Sequence, residues 1–149
     1  MSRVNDLWSG LRTGHGLMAA VVIVLGVVSI VVGIVFVAIG ATTQSWLKEE
    51  MRAEQITLGV PDAEIDEGEV IDTMAEAQTA GDIVRGHRHK IAPTYGDLLG
   101  GEQFDPSDPQ LLVYAQALNL ENYLYLAAAS FGLTNLAIGA GVGLMLVGI

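Results

Sequence analysis

Residues 17–41 read "LMAAVVIVLGVVSIVVGIVFVAIGA", without a single charged or strongly polar side chain beyond Ser29. At 1.5 Å of rise per residue, a helical run of this length crosses a hydrocarbon layer of ~30 Å with some tilt. A second run, residues 124–149, "LYLAAASFGLTNLAIGAGVGLMLVGI", has the same character. Both predict transmembrane helices. The rival reading of the first run, a cleaved signal peptide with Ala38 and Gly40 before the cut, fits poorly, because the run far exceeds the roughly 7–15 apolar residues of a signal core. Ahead of it, Val4, Leu7, Trp8 and Leu11 follow helical i, i+3, i+4, i+7 spacing, with Arg3, Asn5, Asp6 and Arg12 between them. That pattern predicts an amphipathic helix over residues 1–16, lying in the membrane interface and ending at Gly14 and Gly16.

Between the spans the pattern changes. "TTQSWLKEEMRAEQI" is rich in helix formers and extends the first span to about Gln55, with Glu49 or Glu50 placed to pair with Lys48 or Arg52 across a turn. "QITLGVP" reads as a short extended piece and "DAEIDEGEV" as an acidic turn. "VIDTMAEAQTAGDIVRGH" predicts a helix ended by Gly86, with Ile71, Met74, Ala77 or Gln78, and Ile83 or Val84 on one side. "APTYGDLLGGEQFDPSDP" is broken by prolines and glycines and reads as a loop. Ser107 or Asp108 is placed to cap a last helix with Pro109 in its first turn, and that helix runs unbroken into the second span. The expected fold class is an all-α membrane protein, its two transmembrane helices prolonged beyond the membrane and joined by a small, mainly helical domain over residues 42–123.

Composition sharpens this picture. The chain of 149 residues is 51% hydrophobic yet carries a net charge of −10, and the two properties are segregated along the sequence, as in spans flanking a solvated domain. Residues 42–123 hold 16 acids against 5 bases, a balance of −11. A membrane potential negative inside favours moving such a segment outward, and Arg3 and Arg12 favour a cytoplasmic N-terminus. The expected location is a bacterial cytoplasmic membrane, both termini cytoplasmic and residues 42–123 extracytoplasmic. Trp8 on one side, and Trp46, Tyr123 and Tyr125 on the other, are the candidate interface anchors. The acidic balance excludes nucleic acid as a partner, and the absence of cysteine excludes thiolate chemistry.

Small residues recur along the spans. Ala19, Gly26, Gly33 and Gly40 repeat every seven residues, Gly132 and Gly139 repeat the step in the second span, and Gly139–Gly143 is a GxxxG. Such residues let helix backbones approach closely, the main source of packing energy between helices in lipid. Either the two spans pair with each other and nothing more, or one stripe is used internally and the other docks a helix of another membrane subunit. Asn135, an amide in mid-membrane, wants a partner.

Candidate chemistry is confined to "GHRHKIAPTYGDL". His87 and His89 would diverge by about 200° on a helix but share a face on extended chain, and Asp82 and Asp97 are the acids nearest to them as further metal ligands. The competing readings are a helix C-terminus, where His87, Arg88 and Lys90 meet the dipole and an acidic neighbour, and a partner contact. No nucleophile motif, phosphate loop or complete calcium loop is present, and the residues require no cofactor.

The order of short motifs resembles a family of small bacterial two-span membrane proteins. The matching residues are Trp46, Glu54-Gln55-Ile56-Thr57, Ala75-Glu76-Ala77-Gln78, Ile83, Val84, His87, Thr94-Tyr95-Gly96-Asp97-Leu98 and Asp105-Pro106. Members often carry the name "aromatic ring-opening dioxygenase". The residues supply no metal pocket of the kind ring cleavage needs. The expectation is therefore a non-catalytic accessory or scaffold subunit of a larger membrane-bound complex, of respiratory or oxygenase type. The alternatives are an independent metal-binding or redox-related membrane protein using His87 and His89, and a self-assembling homo-oligomer.

Overall fold

The computed structural model describes residues 2–57 and 68–149, with side chains described from residue 16 onward. It is all-helical among these residues, apart from one isolated antiparallel bridge between Thr57 and Val70. The four helices are α1 (Ser2–Glu54), α2 (Met74–Ile91), α3 (Tyr95–Leu99) and α4 (Pro109–Gly148). Two stretches are long and apolar enough to cross a membrane, Gly16–Glu54 and Pro109–Gly148. The amphipathic side chains of residues 4–11, Trp8 among them, and the acidic turn over 62–67 lie outside the described residues.

The first helix does not stop at Gly14 and Gly16 as expected, but continues without a break to Glu54. A glycine inside a helix costs about 1 kcal/mol against alanine. It ends the helix only where the backbone turns left-handed, and here that turn is taken by Gln55, at φ +50°. The remaining boundaries follow from caps. Thr73 and Glu76 form a capping box: Glu76 N–H donates to Thr73 Oγ1 at 3.3 Å and Thr73 N–H to Glu76 Oε2 at 3.1 Å. Thr94 caps the single turn of α3, accepting from Asp97 N–H at 3.1 Å, and Gly100, at φ +58°, closes it. The segment read as a loop thus contains one helical turn. Asp108 caps α4, accepting from Gln110 N–H at 2.7 Å, with Pro109 at the first helical position.

The described chain divides into two compact units, Met1–Ala41 with Asn135–Ile149, and Thr42–Thr134. In the first, parts of α1 and α4 run antiparallel. Leu17, Val21, Val28, Ile34 and Phe36 on α1 and Leu136, Leu146 and Val147 on α4 are exposed. In the second, α2 lays Ile71 (just before its cap), Ala77, Ala80 and Val84 against Met51 of α1 and against Leu124, Ala128 and Phe131 of α4. Of the residues expected on the inner side of α2, Ala77 and Val84 are buried, while Met74, the first residue of the helix, is 40% exposed.

Candidate functional site

The first unit is built on glycine. A Cβ added at Gly26 would stand 2.8 Å from the carbonyl oxygen of Gly148, and one added at Gly33 would stand 2.5 Å from that of Gly141. Both distances lie far inside van der Waals contact. The seven-residue step from Gly26 to Gly33 on α1 is therefore matched by the step from Gly148 back to Gly141 on α4, which keeps one seam facing the partner helix. Gly40 is also buried.

Gly139 and Gly143 take no part in this seam. Both are exposed, and a Cβ at either position would meet nothing within 4 Å. At 100° per residue they lie about 200° from Gly141, on the opposite face of α4. Gly132 instead faces Met74, whose methyl group would stand 3.8 Å from an added Cβ. Asn135 has an exposed side chain on α4. The expected packing set is thus divided. Gly26 and Gly33 close the seam with Gly141 and Gly148, two residues the sequence reading missed, although 141 and 148 repeat the same seven-residue step. Gly139 and Gly143 are left on the outer face.

The histidine corner belongs to the second unit. Gly86 does not end α2, which runs to Ile91, so His87 and His89 sit on helix and point about 200° apart. The extended geometry that would let both face one ion is not formed, because the C-cap falls at Ala92, whose N–H donates to Arg88 O at 3.3 Å. His87 and His89 are exposed, and His89 Nε2 lies 3.3 Å from Arg88 Nη2. The two candidate acids are engaged elsewhere. Asp82 Oδ1 accepts a 2.6 Å hydrogen bond from Tyr125, and Asp97 Oδ2 accepts one from Thr94 at 2.7 Å. Among the described residues no group of three or more histidines, aspartates or glutamates converges on a point.

What the corner does contain is a buried ion pair. Arg88 Nε and Nη2 donate to Glu121 Oε2 and Oε1 at 2.6 and 3.2 Å, and Nη1 donates to the Tyr114 hydroxyl. Both charged side chains are 8% exposed, so the pair must be satisfied on every side to be tolerated. The hydrogen bond to Glu121 is the main reason the Arg88 pKa is raised from its ordinary value, with desolvation pulling the other way. Arg88, His89 and Lys90 also stand in the last turn of α2, where cations suit the helix dipole. A carboxylate 33 residues away leaves no local signal in the sequence.

Of the interface anchors, Trp46 and Tyr123 are exposed, at 58% and 68%. Tyr125 is half-buried, its hydroxyl on Asp82 and its ring over Gly81, where an added Cβ would lie 2.9 Å from a ring carbon. Arg52, expected to pair within α1, bonds Asp72 instead.

No known family model matches the chain, and neither a curated protein nor a solved structure does.

Proposed function

We propose that this chain is a non-catalytic accessory or scaffold subunit of a larger membrane-bound complex. It sits in a bacterial cytoplasmic membrane with both termini inside and residues 42–123 outside. The observation that carries this reading is the divided glycine set. Gly141 and Gly148 are consumed by α1, whereas Gly139 and Gly143 stand open on the opposite face of α4. A glycine facing acyl chains buries no side chain and lowers helix propensity. Its use in lipid is to let another helix backbone approach. Two of them at i, i+4, in a helix whose own hairpin partner is already seated elsewhere, suit a helix from outside the chain. Respiratory and oxygenase complexes are the host assemblies to examine first.

The open face serves a second copy of this chain as readily as a foreign helix, so the homo-oligomer remains the second reading. One experiment separates them. Gly139→Leu/Gly143→Leu is expressed in the native membrane, and the assemblies of variant and wild type are compared on native gels. The accessory reading expects other membrane proteins to accompany the wild type and to be lost from the variant, which stays folded. Assemblies containing this chain alone refute it in favour of self-association. Undiminished co-migration of the variant refutes the role given to the open face.

A further inference from the structure

A second feature lies at the edge of the hydrophobic core of the second unit. Within the second unit, Met51, Ile56 and Leu124 wall an apolar groove of about 430 Å³, with Glu50, Glu54 and Tyr123 at its edge. That volume falls inside the roughly 300–1,000 Å³ of pockets that accept a discrete ligand or anchor group.

The groove is surrounded by uncompensated negative charge. Glu50 and Glu54 are i, i+4 neighbours on one face of α1, an arrangement of like charges that weakens a helix. Glu54 is also the last residue of α1, where the helix end carries partial negative charge. The only base in that last turn is Arg52, and it is held by Asp72. Arg88, the other paired base, is held by Glu121. Among the described residues, neither Glu50 nor Glu54 is in an ion pair. Two carboxylates and a helix end therefore border an apolar cleft, with no ion-pair partner for either carboxylate among the described residues.

We propose that this groove seats a helix of a partner membrane protein that presents a lysine among apolar side chains, the ammonium held between Glu50 and Glu54 and the lysine stem lying on Ile56 and Tyr123. The proposal rests on the accessory-subunit reading and names the chemistry of the contact. Lysine fits better than arginine, because a compact charge with three donors can sit between two separate carboxylates, whereas the arginine fork matches one carboxylate bidentately. Its methylene stem covers apolar surface while the head remains polar. An amine-headed phospholipid fits less well, since the phosphate beside its amine meets the same two carboxylates and the same helix end.

The test uses the whole chain in its own membranes, opened so that both faces are accessible. A water-soluble carbodiimide joins a carboxylate to an amine in direct contact, with loss of one water, and the products are mapped by mass spectrometry. The expected product is an amide between Glu50 or Glu54 and a lysine of a different membrane protein. Glu50→Gln/Glu54→Gln abolishes it and lowers co-purification of that protein roughly tenfold, as removal of two charge pairs implies. The far-ultraviolet circular dichroism of the variant is unchanged, because glutamine is an equally good helix former. Absence of this cross-link while other subunits still co-migrate overturns the groove proposal and leaves the accessory reading standing. A cross-link to Lys48 or Lys90 of another copy, or to an amine lipid, overturns it equally. If the chain migrates alone, both readings fall.

Discussion

Replacing Gly33 by alanine tests the seam between α1 and α4. The new methyl group would stand 2.5 Å from the Gly141 carbonyl oxygen, 2.7 Å from Met145 Cγ and 3.0 Å from Met145 N. The methionine side chain can rotate away. The two backbone atoms cannot, so the helices must separate by about 1 Å at this layer to restore ordinary contact, and interhelical dispersion is lost over the neighbouring turns. Overpacking of a tight interface costs about 1–3 kcal/mol. Alanine also favours helix over glycine by up to about 1 kcal/mol, which acts in the opposite direction. Gly143→Ala isolates the two terms. It is likewise a glycine inside a helix long and apolar enough to cross a membrane, but its Cβ meets nothing within 4 Å. The propensity gain cancels in the difference, leaving the contact term, about 1–3 kcal/mol. Thermal unfolding of the chain freed from other membrane proteins, followed by circular dichroism in detergent, measures that difference. Gly33→Ala should melt well below Gly143→Ala, and Gly141→Ala should follow Gly33→Ala. Equal melting of Gly33→Ala and Gly143→Ala would show that the seam does not run through Gly33.

Three further outcomes follow from the second unit. Arg88→Met or Glu121→Leu alone leaves one buried charge unpaired and should destabilise by about 3–5 kcal/mol, whereas the double variant should recover most of the loss, because two apolar side chains replace the pair; a double-mutant cycle in thermal unfolding decides, and simple additivity would contradict a direct pair. Gly81→Ala pushes the Tyr125 ring off α2 and should cost about 1–2 kcal/mol; in a Tyr125→Ala background the same change should be nearly silent, and an undiminished cost there would exclude the ring as the obstacle. Asp105 accepts hydrogen bonds from the Ser107 hydroxyl and the Ser107 N–H at 2.7 and 2.8 Å, which hold its pKa below the usual carboxylate value. Since the folded value is the lower one, the stabilisation is present above the unfolded pKa and is lost as pH falls through the folded one. Ser107→Ala removes the stronger cause and should move the Asp105 titration upward in carboxyl NMR, and an unmoved titration would refute the assignment.

Much of the architecture could be read from local pattern, because each feature involved is settled within a few residues. The two apolar stretches follow from uncharged runs, α2 from the helical spacing of its apolar residues between Ile71 and Val84, and the start of α4 from Asp108 before Pro109. The misread helix ends share one cause. Gly14, Gly16 and Gly86 were expected to stop helices, but glycine only lowers helix propensity, and in each case the following residues continued the hydrogen-bond ladder. The α4 glycines expose a different limit. Local spacing offers two faces, Gly139 with Gly143 and Gly141 with Gly148, and only the register against Gly26 and Gly33 decides which one closes. Arg88 was visible as a cation at a helix end, but its partners Glu121 and Tyr114 are brought to it by the packing of α2 on α4.

The central claim is that this chain is built to join other membrane subunits. The most direct measurement is native mass spectrometry of the wild-type protein, extracted from its own membranes in mild detergent. The account predicts a complex of fixed composition in which this chain is a minor mass beside larger membrane proteins. A single species at the mass of the chain, or at an integral multiple of it, would contradict the claim.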